Sequence, residues 1–316
     1  MQDNGLQGAD RAQNLQSHTY SFKNSRGSFL NRIMPIVLFL CAAVSIVTTI
    51  GIVYTLFTET YNFFKEVPFA DFIAGTKWSP LIEPKSFGIL PLLSGTFLIT
   101  VIACIVAIPV GLASAIYLSE YATARVRKIV KPVLEVLAGV PTIVYGYFAL
   151  TFITPVIQFF IPEIGVFNAL SAGIAVGIMT IPMVSSLSED AMSSVPRSLR
   201  DGAYALGATR LEVALRIVVP AALSGIVASA VLAFSRAIGE TMIVTVAAGA
   251  TPKLTANPLE SIQTMTAYIV QVSLGDTPQG TLEYGTIFAV GMTLFVITFL
   301  LNILAQYVAR RFREEY

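Results

Sequence analysis

Charge is scarce in this sequence. Only 12% of its 316 residues are Asp, Glu, Lys or Arg, against roughly 25% in soluble domains. The net charge is +1, with no basic patch to suggest a nucleic-acid partner. Histidine is nearly absent: His18 is the only one, in a polar N-terminal stretch, which argues against a ligand or catalytic role. The two cysteines, Cys41 and Cys104, both fall in apolar segments, too few for a disulfide framework or a metal centre. No H-E-x-x-H, no G-x-S-x-G and no nucleophile with an evident base occurs, so no catalytic site is expected. The G-x-x-x-x-G-K-S/T phosphate loop is missing too, so the chain is not expected to bind ATP or another cofactor.

Apolar residues fill the space that charge leaves. They make up 55% of the chain, and the mean hydropathy is +0.73. Length alone would suggest two soluble domains, but long apolar runs override that count. About twenty such residues cross a bilayer as a helix. Six spans are expected, near 33–57, 90–117, 133–160, 168–187, 221–249 and 284–308, giving an all-α polytopic membrane protein. The first run is too long for a cleaved signal, and no small-residue cleavage site follows it. Residues 1–28 read as a polar, disordered tail. A first span with its outer loop follows over 29–89, and the main transmembrane domain over 90–316. Gly173 and Gly177 form a G-x-x-x-G pair that favours close helix packing.

Charge placement orients the spans. Arg11, Lys23, Arg26 and Arg32 precede the first. Arg125, Arg127, Lys128 and Lys131 lie between the second and third; Arg197, Arg200, Arg210 and Arg216 lie between the fourth and fifth; Arg310, Arg311 and Arg313 end the chain. The opposite side has only Lys65, Lys77, Lys85 and Lys253. The positive-inside rule then makes both termini and the 188–220 loop cytoplasmic. Loops near 58–89 and 250–283 face outward, with Trp78, Tyr268 and Tyr284 among them. Within the second, 259–273 suits an amphipathic helix carrying Ile262, Met265, Ile269 and Val272 on one side. It can pack on the bundle or lie at the interface, or it can meet an external partner.

Residues 198–220 form the most informative polar stretch. Ser198 with Asp201, and Thr209 with Glu212, have capping-box spacing. Leu199, Ala203 and Leu206 make one apolar stripe, and Leu211, Leu215 and Val218 a second. Gly207 stands where the first helix must stop and turn. Pro220 suits the first turn of the next helix. The expectation is a bent two-helix knuckle with an apolar underside. A second feature is Arg236 with Glu240 inside the fifth span, beside Ser235, Gly239 and Thr241. Charge at membrane depth should face a partner or a cavity, and i, i+4 spacing puts the two on one helix face. They are either a self-neutralising ion pair or an anion site or gate, for which the arginine fork is suited. A carboxylate would tolerate an anion that still carries a proton, which favours phosphate over sulfate.

The 201–220 segment resembles the EAA loop of ABC-importer permeases. Asp201, Gly202 and Ala203 stand for Glu-Ala-Ala, Gly207 holds the glycine, and Ile217 and Pro220 close the pattern at full spacing. The departures are Asp for Glu, Gly for the first Ala and Val for Leu. The resemblance implies a type I ABC-importer permease fold, with this loop as the coupling helix that docks on a separate ATP-binding subunit. The run Arg236 to Met242, with AGVPTIVYG at 138–146 and IPVGLASAIYLSEYA at 108–122, resembles bacterial phosphate-specific transport (Pst) permeases, PstC-type by its Thr241-Met242. That implies an inner-membrane heterodimer with a PstA-type subunit, two PstB-type ATPases holding ATP-Mg, and a PstS-type external phosphate-binding protein. It places Arg236, Glu240, Ser235 and Thr241 along the phosphate pathway. A permease for sulfate, molybdate or tungstate is the alternative; a secondary transporter or channel would not need an EAA loop.

Overall fold

The computed structural model of the chain describes residues 27–275 and 277–311; most of the polar tail expected over 1–28 lies outside them. The chain divides into two compact units, one ending at Thr55 and the other starting at Leu56. The described part of the first is the opening of one long helix, α1 (Gly27–Glu66). Between Ile33 and Thr55 most of its side chains, including Phe39, Val47 and Ile52, are exposed and apolar, a surface suited to lipid. Even a hydroxyl there is satisfied locally: Thr49 donates to the Ser45 carbonyl at 2.9 Å.

The second unit begins with the last turns of α1, then α2 (Phe69–Ala74) and a two-stranded hairpin, β1 (Trp78–Ser79) antiparallel to β2 (Ser86–Phe87). The helices α3 (Leu90–Ile116), α4 (Ala124–Ala138), α5 (Thr142–Phe148), α6 (Thr154–Phe160) and α7 (Ala169–Ser193) follow. The knuckle contains α8 (Arg197–Ala205), α9 (Arg210–Val213) and α10 (Val219–Ala221). Then come α11 (Leu223–Ile238), α12 (Met242–Ala247), α13 (Met265–Leu274) and α14 (Leu282–Arg311). Among the described residues five helical stretches are long and apolar enough to cross a membrane, and Arg210–Ala221 with Leu223–Ile238, bent by 74°, adds a sixth where the two count as one broken span.

Two expected spans have different bounds. The stretch 133–160 is not one span, because α4 ends at Ala138 and the membrane-length helix starts at Thr142. Pro141 breaks the ladder between them, since it offers no N–H and disfavours helix in Val140 before it. The stretch 221–249 is also interrupted, with α11 ending at Ile238 and α12 starting at Met242.

The core forms around α3 and α7. Glycines let their backbones approach: a Cβ at Gly173 would lie 2.6 Å from the Ile102 side chain, and one at Gly177 would lie 2.8 Å from Val106. Gly111 does the same for Val184 at 2.7 Å. The expected G-x-x-x-G packing is therefore present, and it buries Val176 and Met179 with Ile99, Ile243 and Ile262. Asn168 caps α7 by accepting from the Ser171 amide at 2.7 Å. At one end an aromatic cluster joins Phe63, Phe72, Trp78 and Tyr268, with the Trp78 and Tyr268 rings edge to face at 4.9 Å. At the other end Ala115, Met192, Val195, Val213, Val218 and Ile226 close over the knuckle.

The outer helix of 259–273 is α13, shorter than expected and packed into the bundle. Met265, Thr266, Ala267 and Tyr268 are all buried, so it has no solvent face in its first turn.

Substituting Gly177 by Ile should force α3 and α7 apart. Overpacking of this kind costs about 1–3 kcal/mol. We expect a lower thermal midpoint of the detergent-purified protein, with Gly202→Ala as a control, since a Cβ there meets nothing within 4 Å.

Candidate functional site

The knuckle starts at Pro196, which takes the N-cap position of α8 without a side-chain cap. The Ser198–Asp201 capping box therefore does not form: the helix begins one residue before Ser198. The Thr209–Glu212 box does form. The Thr209 hydroxyl accepts from the Glu212 amide at 3.4 Å, and the Glu212 carboxylate accepts from the Thr209 amide at 2.9 Å. Between them α8 ends in a Schellman turn: Gly207 N–H donates to the Tyr204 carbonyl at 3.0 Å and Ala208 N–H to the Ala203 carbonyl at 3.1 Å. Gly207 has φ +85°, which a side chain would disfavour. A π turn over Ala214–Val218 leads into Pro220, which has no N–H to continue an α-helical ladder.

The apolar faces of the knuckle differ from the expected stripes. Ala203, Ala208, Val213 and Val218 pack inward, whereas Leu199, Leu206, Leu211 and Leu215 point outward, Leu206 with 91% of its surface exposed. The cause is Arg200. Its guanidinium is turned inward, 3.1 Å from the Glu120 carboxylate, and donates to the carbonyls of Val195 at 2.6 Å and Met192 at 2.8 Å. Glu120 lies in the π turn Tyr117–Tyr121 that ends the α3 span. This half-buried pair, with the two carbonyls, fixes the rotation of α8. Asp201 and Gly202 are exposed, Ala203 and Ile217 are half-buried, and Pro220 is exposed.

Next to the knuckle, Glu189 near the end of α7 gathers Lys131 at 2.8 Å, Arg127 at 3.6 Å and the Ser193 hydroxyl at 2.8 Å. Lys131 also reaches Asp190, and these carboxylates, Asp190 foremost, hold its ammonium above the usual lysine range. Neither this cluster nor the Arg200–Glu120 pair is in the expected site; acidic residues at a span's end were the available signal.

The second candidate region is the break after α11. Glu240 does not share a helix face with Arg236, because α11 stops at Ile238 and the chain turns at Gly239. No ion pair joins them among the described residues. The Glu240 carboxylate is buried and accepts from the amides of Met242 at 3.1 Å and Ile243 at 3.2 Å, capping α12. Arg236 sits in the last turn of α11, exposed, with its guanidinium 3.9 Å from the Met179 sulfur. Ser235 donates to Asn302 on α14 at 3.0 Å, and Thr241 to the Gly239 carbonyl at 3.2 Å. The four residues thus lie together, but Arg236 alone presents unspent donors.

A helical bundle with six potential spans, a broken fifth one and a leucine-tipped surface knuckle has the architecture of a membrane transport subunit. Residues 107–314 match the family described as binding-protein-dependent transport system inner membrane component. The chain belongs to this family. It is 35% identical to "Probable ABC transporter permease protein YqgH" of Bacillus subtilis, over 86% of this chain and 88% of that one. It is 30% identical to the phosphate transport system permease protein PstC of Mesorhizobium japonicum, over 83% and 84%. The corresponding figures for PstC 1 of Mycobacterium tuberculosis are 33%, over 76% and 81%. A crystal structure of a bacterial ABC transporter that imports alginate superposes with a TM-score of 0.63 at 15% identity, covering 90% of this chain and 99% of that one. The MetNI methionine transporter in an inward-facing form gives 0.53 at 16% identity, over 72% and 95%. The fold is that of type I ABC-importer permeases, and such a subunit works with other ABC subunits in the inner membrane.

Replacing Arg200 by Met should leave Glu120 buried without its partner. The expected loss is about 3 kcal/mol, read as a lower thermal midpoint of the purified protein. Adding Glu120→Gln should recover much of it. A single variant as stable as the parent would show that the pair does not hold α8.

Proposed function

We propose that this chain is the PstC-type permease half of an ATP-driven phosphate importer. The observation that carries the substrate is Arg236, the exposed guanidinium at the break, unpaired with any carboxylate among the described residues. It is supported by the PstC names of relatives aligned over three quarters or more of the chain. A planar fork of donors suits a tetrahedral oxyanion. Glu240 supports phosphate less directly than the spacing suggested, since its carboxylate is engaged with backbone amides.

In this reading the partners are a PstA-type permease, two PstB-type ATPases and a PstS-type external binding protein. ATP-Mg is bound and hydrolysed on the ATPases, and this chain holds no cofactor. The end that carries Arg127, Lys131, Arg200, Arg210 and Arg216 is cytoplasmic, with both termini. The outward leucines of the knuckle, Leu206 at its apex, are the surface offered to the ATPase. ATP-driven closure of the ATPases moves the knuckle, and α8 passes the motion to α3 through Arg200 and Glu120. The bundle then switches the side from which Arg236 is reached, two arrangements that ATP must stabilise unequally.

The test is phosphate uptake by the co-expressed complex, with sulfate and molybdate as competitors. Arg236→Gln should abolish uptake while the complex still assembles. Arg236→Lys should recover little if the fork matters, and much if charge alone suffices. Efficient competition by sulfate would move the substrate to another oxyanion.

Coupling has its own variant. Gly207→Leu should lower uptake relative to ATP hydrolysis, because a left-handed conformation costs a branched residue about 1–2 kcal/mol. Gly207→Asn, which tolerates that conformation, should remain near the parent. Normal uptake and ATPase activity in the Leu variant would remove the knuckle from the coupling route.

A further inference from the structure

The break between α11 and α12 raises a backbone problem. In an apolar layer every N–H and C=O without a partner is costly, and irregular backbone persists only where something satisfies it. Three side chains do so here. The Glu240 carboxylate takes the first two amides of α12. The Thr241 hydroxyl takes the Gly239 carbonyl. A further group, the Glu240 carbonyl, accepts from the buried Thr266 hydroxyl at 2.7 Å.

Thr266 comes from α13, twenty-six residues further on. Its own place is set independently of the break. The Met265 amide donates to the Thr96 hydroxyl of α3 at 3.1 Å, and the Ala267 amide to Thr264 at 3.1 Å. A Cβ at Gly95 would lie 2.5 Å from the Gln263 carbonyl, so this part of the chain runs directly against α3. α13 is thus anchored to the bundle and lends one hydroxyl to the break.

We propose that Glu240 and Thr266 are positioning residues for substrate passage. Together they clasp the break, Glu240 by capping α12 and Thr266 by tying Glu240 to α13, so that α11 ends at Ile238 and Arg236 is presented without a carboxylate partner. Neither residue needs to touch the anion. Without the clasp the two helix ends are free to rejoin, which would bring Glu240 to the i+4 position beside Arg236 and neutralise the guanidinium. The carboxylate's task is then to accept two hydrogen bonds, which an amide oxygen can also do.

This assignment rests on Arg236 lying in the phosphate pathway, so the experiment has one arm that needs no substrate. Thr266→Val, Thr266→Ser, Glu240→Ala and Glu240→Gln are made in the full complex. Phosphate uptake is measured per assembled complex, and hydrogen exchange at the Met242 and Ile243 amides in detergent. Losing a buried hydrogen bond to the clasp should reduce uptake about tenfold or more in the Val and Ala variants, with a raised KM for phosphate. Both variants should also speed exchange at the two amides. Ser and Gln should keep most of the uptake and the protection. Parental uptake and protection in the Val and Ala variants would overturn the clasp. So would a Gln variant as inactive as Ala with its amides still protected, because charge would then be what matters. If the parent complex takes up no phosphate, the substrate reading fails, and the exchange data alone judge the clasp.

Discussion

The close approach of α3 and α7 is the constraint on which the rest of the bundle depends. In lipid there is little hydrophobic gain from bringing two apolar helices together, so packing must supply the attraction. Gly111, Gly173 and Gly177 each admit a β-branched side chain of the other helix. The groove that results seats α11 against both helices. At one end the pair receives the 258–265 segment: the Leu170 amide donates to Pro258, and Met265 donates to Thr96. At the other, Glu120 and Met192 receive Arg200. The segment leading into Thr266 and the knuckle are therefore attached to opposite ends of this helix pair.

Much of this was legible from composition and periodicity. The all-α run of five or six apolar spans, the glycine pair in the fourth span, the turn at Gly207 and the Thr209–Glu212 cap are local properties of consecutive residues. What was not legible depends on distant ones. The rotation of α8 is decided by Glu120, eighty residues before Arg200, so a stripe of leucines alone pointed to the wrong side. The Ser198–Asp201 spacing met a capping rule, but Pro196 had already started the helix. Arg236 and Glu240 looked like an i, i+4 pair because nothing local marks Gly239 as a helix end at membrane depth. The signal for that end lies in the amides of α12 and in Thr266.

The break at Gly239 divides the labour between Arg236 and Glu240. A paired arginine and glutamate would spend each other's hydrogen-bonding capacity. Apart, the acid stabilises backbone and the base keeps its donors. The same economy appears at the knuckle, where Arg200 spends its donors on Glu120 and two carbonyls. An arginine tied down in this way is a strut, and an arginine with open donors is a contact point. The two differ in partners, which residue type and local spacing do not reveal.

The outward leucines of the knuckle have a consequence for the life of the polypeptide before it meets its subunits. Leu206 stands at the tip of a polar turn, with Leu199, Leu211 and Leu215 also exposed. A solitary copy therefore displays adhesive surface beyond the apolar layer. Copies made in excess of whatever covers these leucines would keep that surface open, which favours their association with one another.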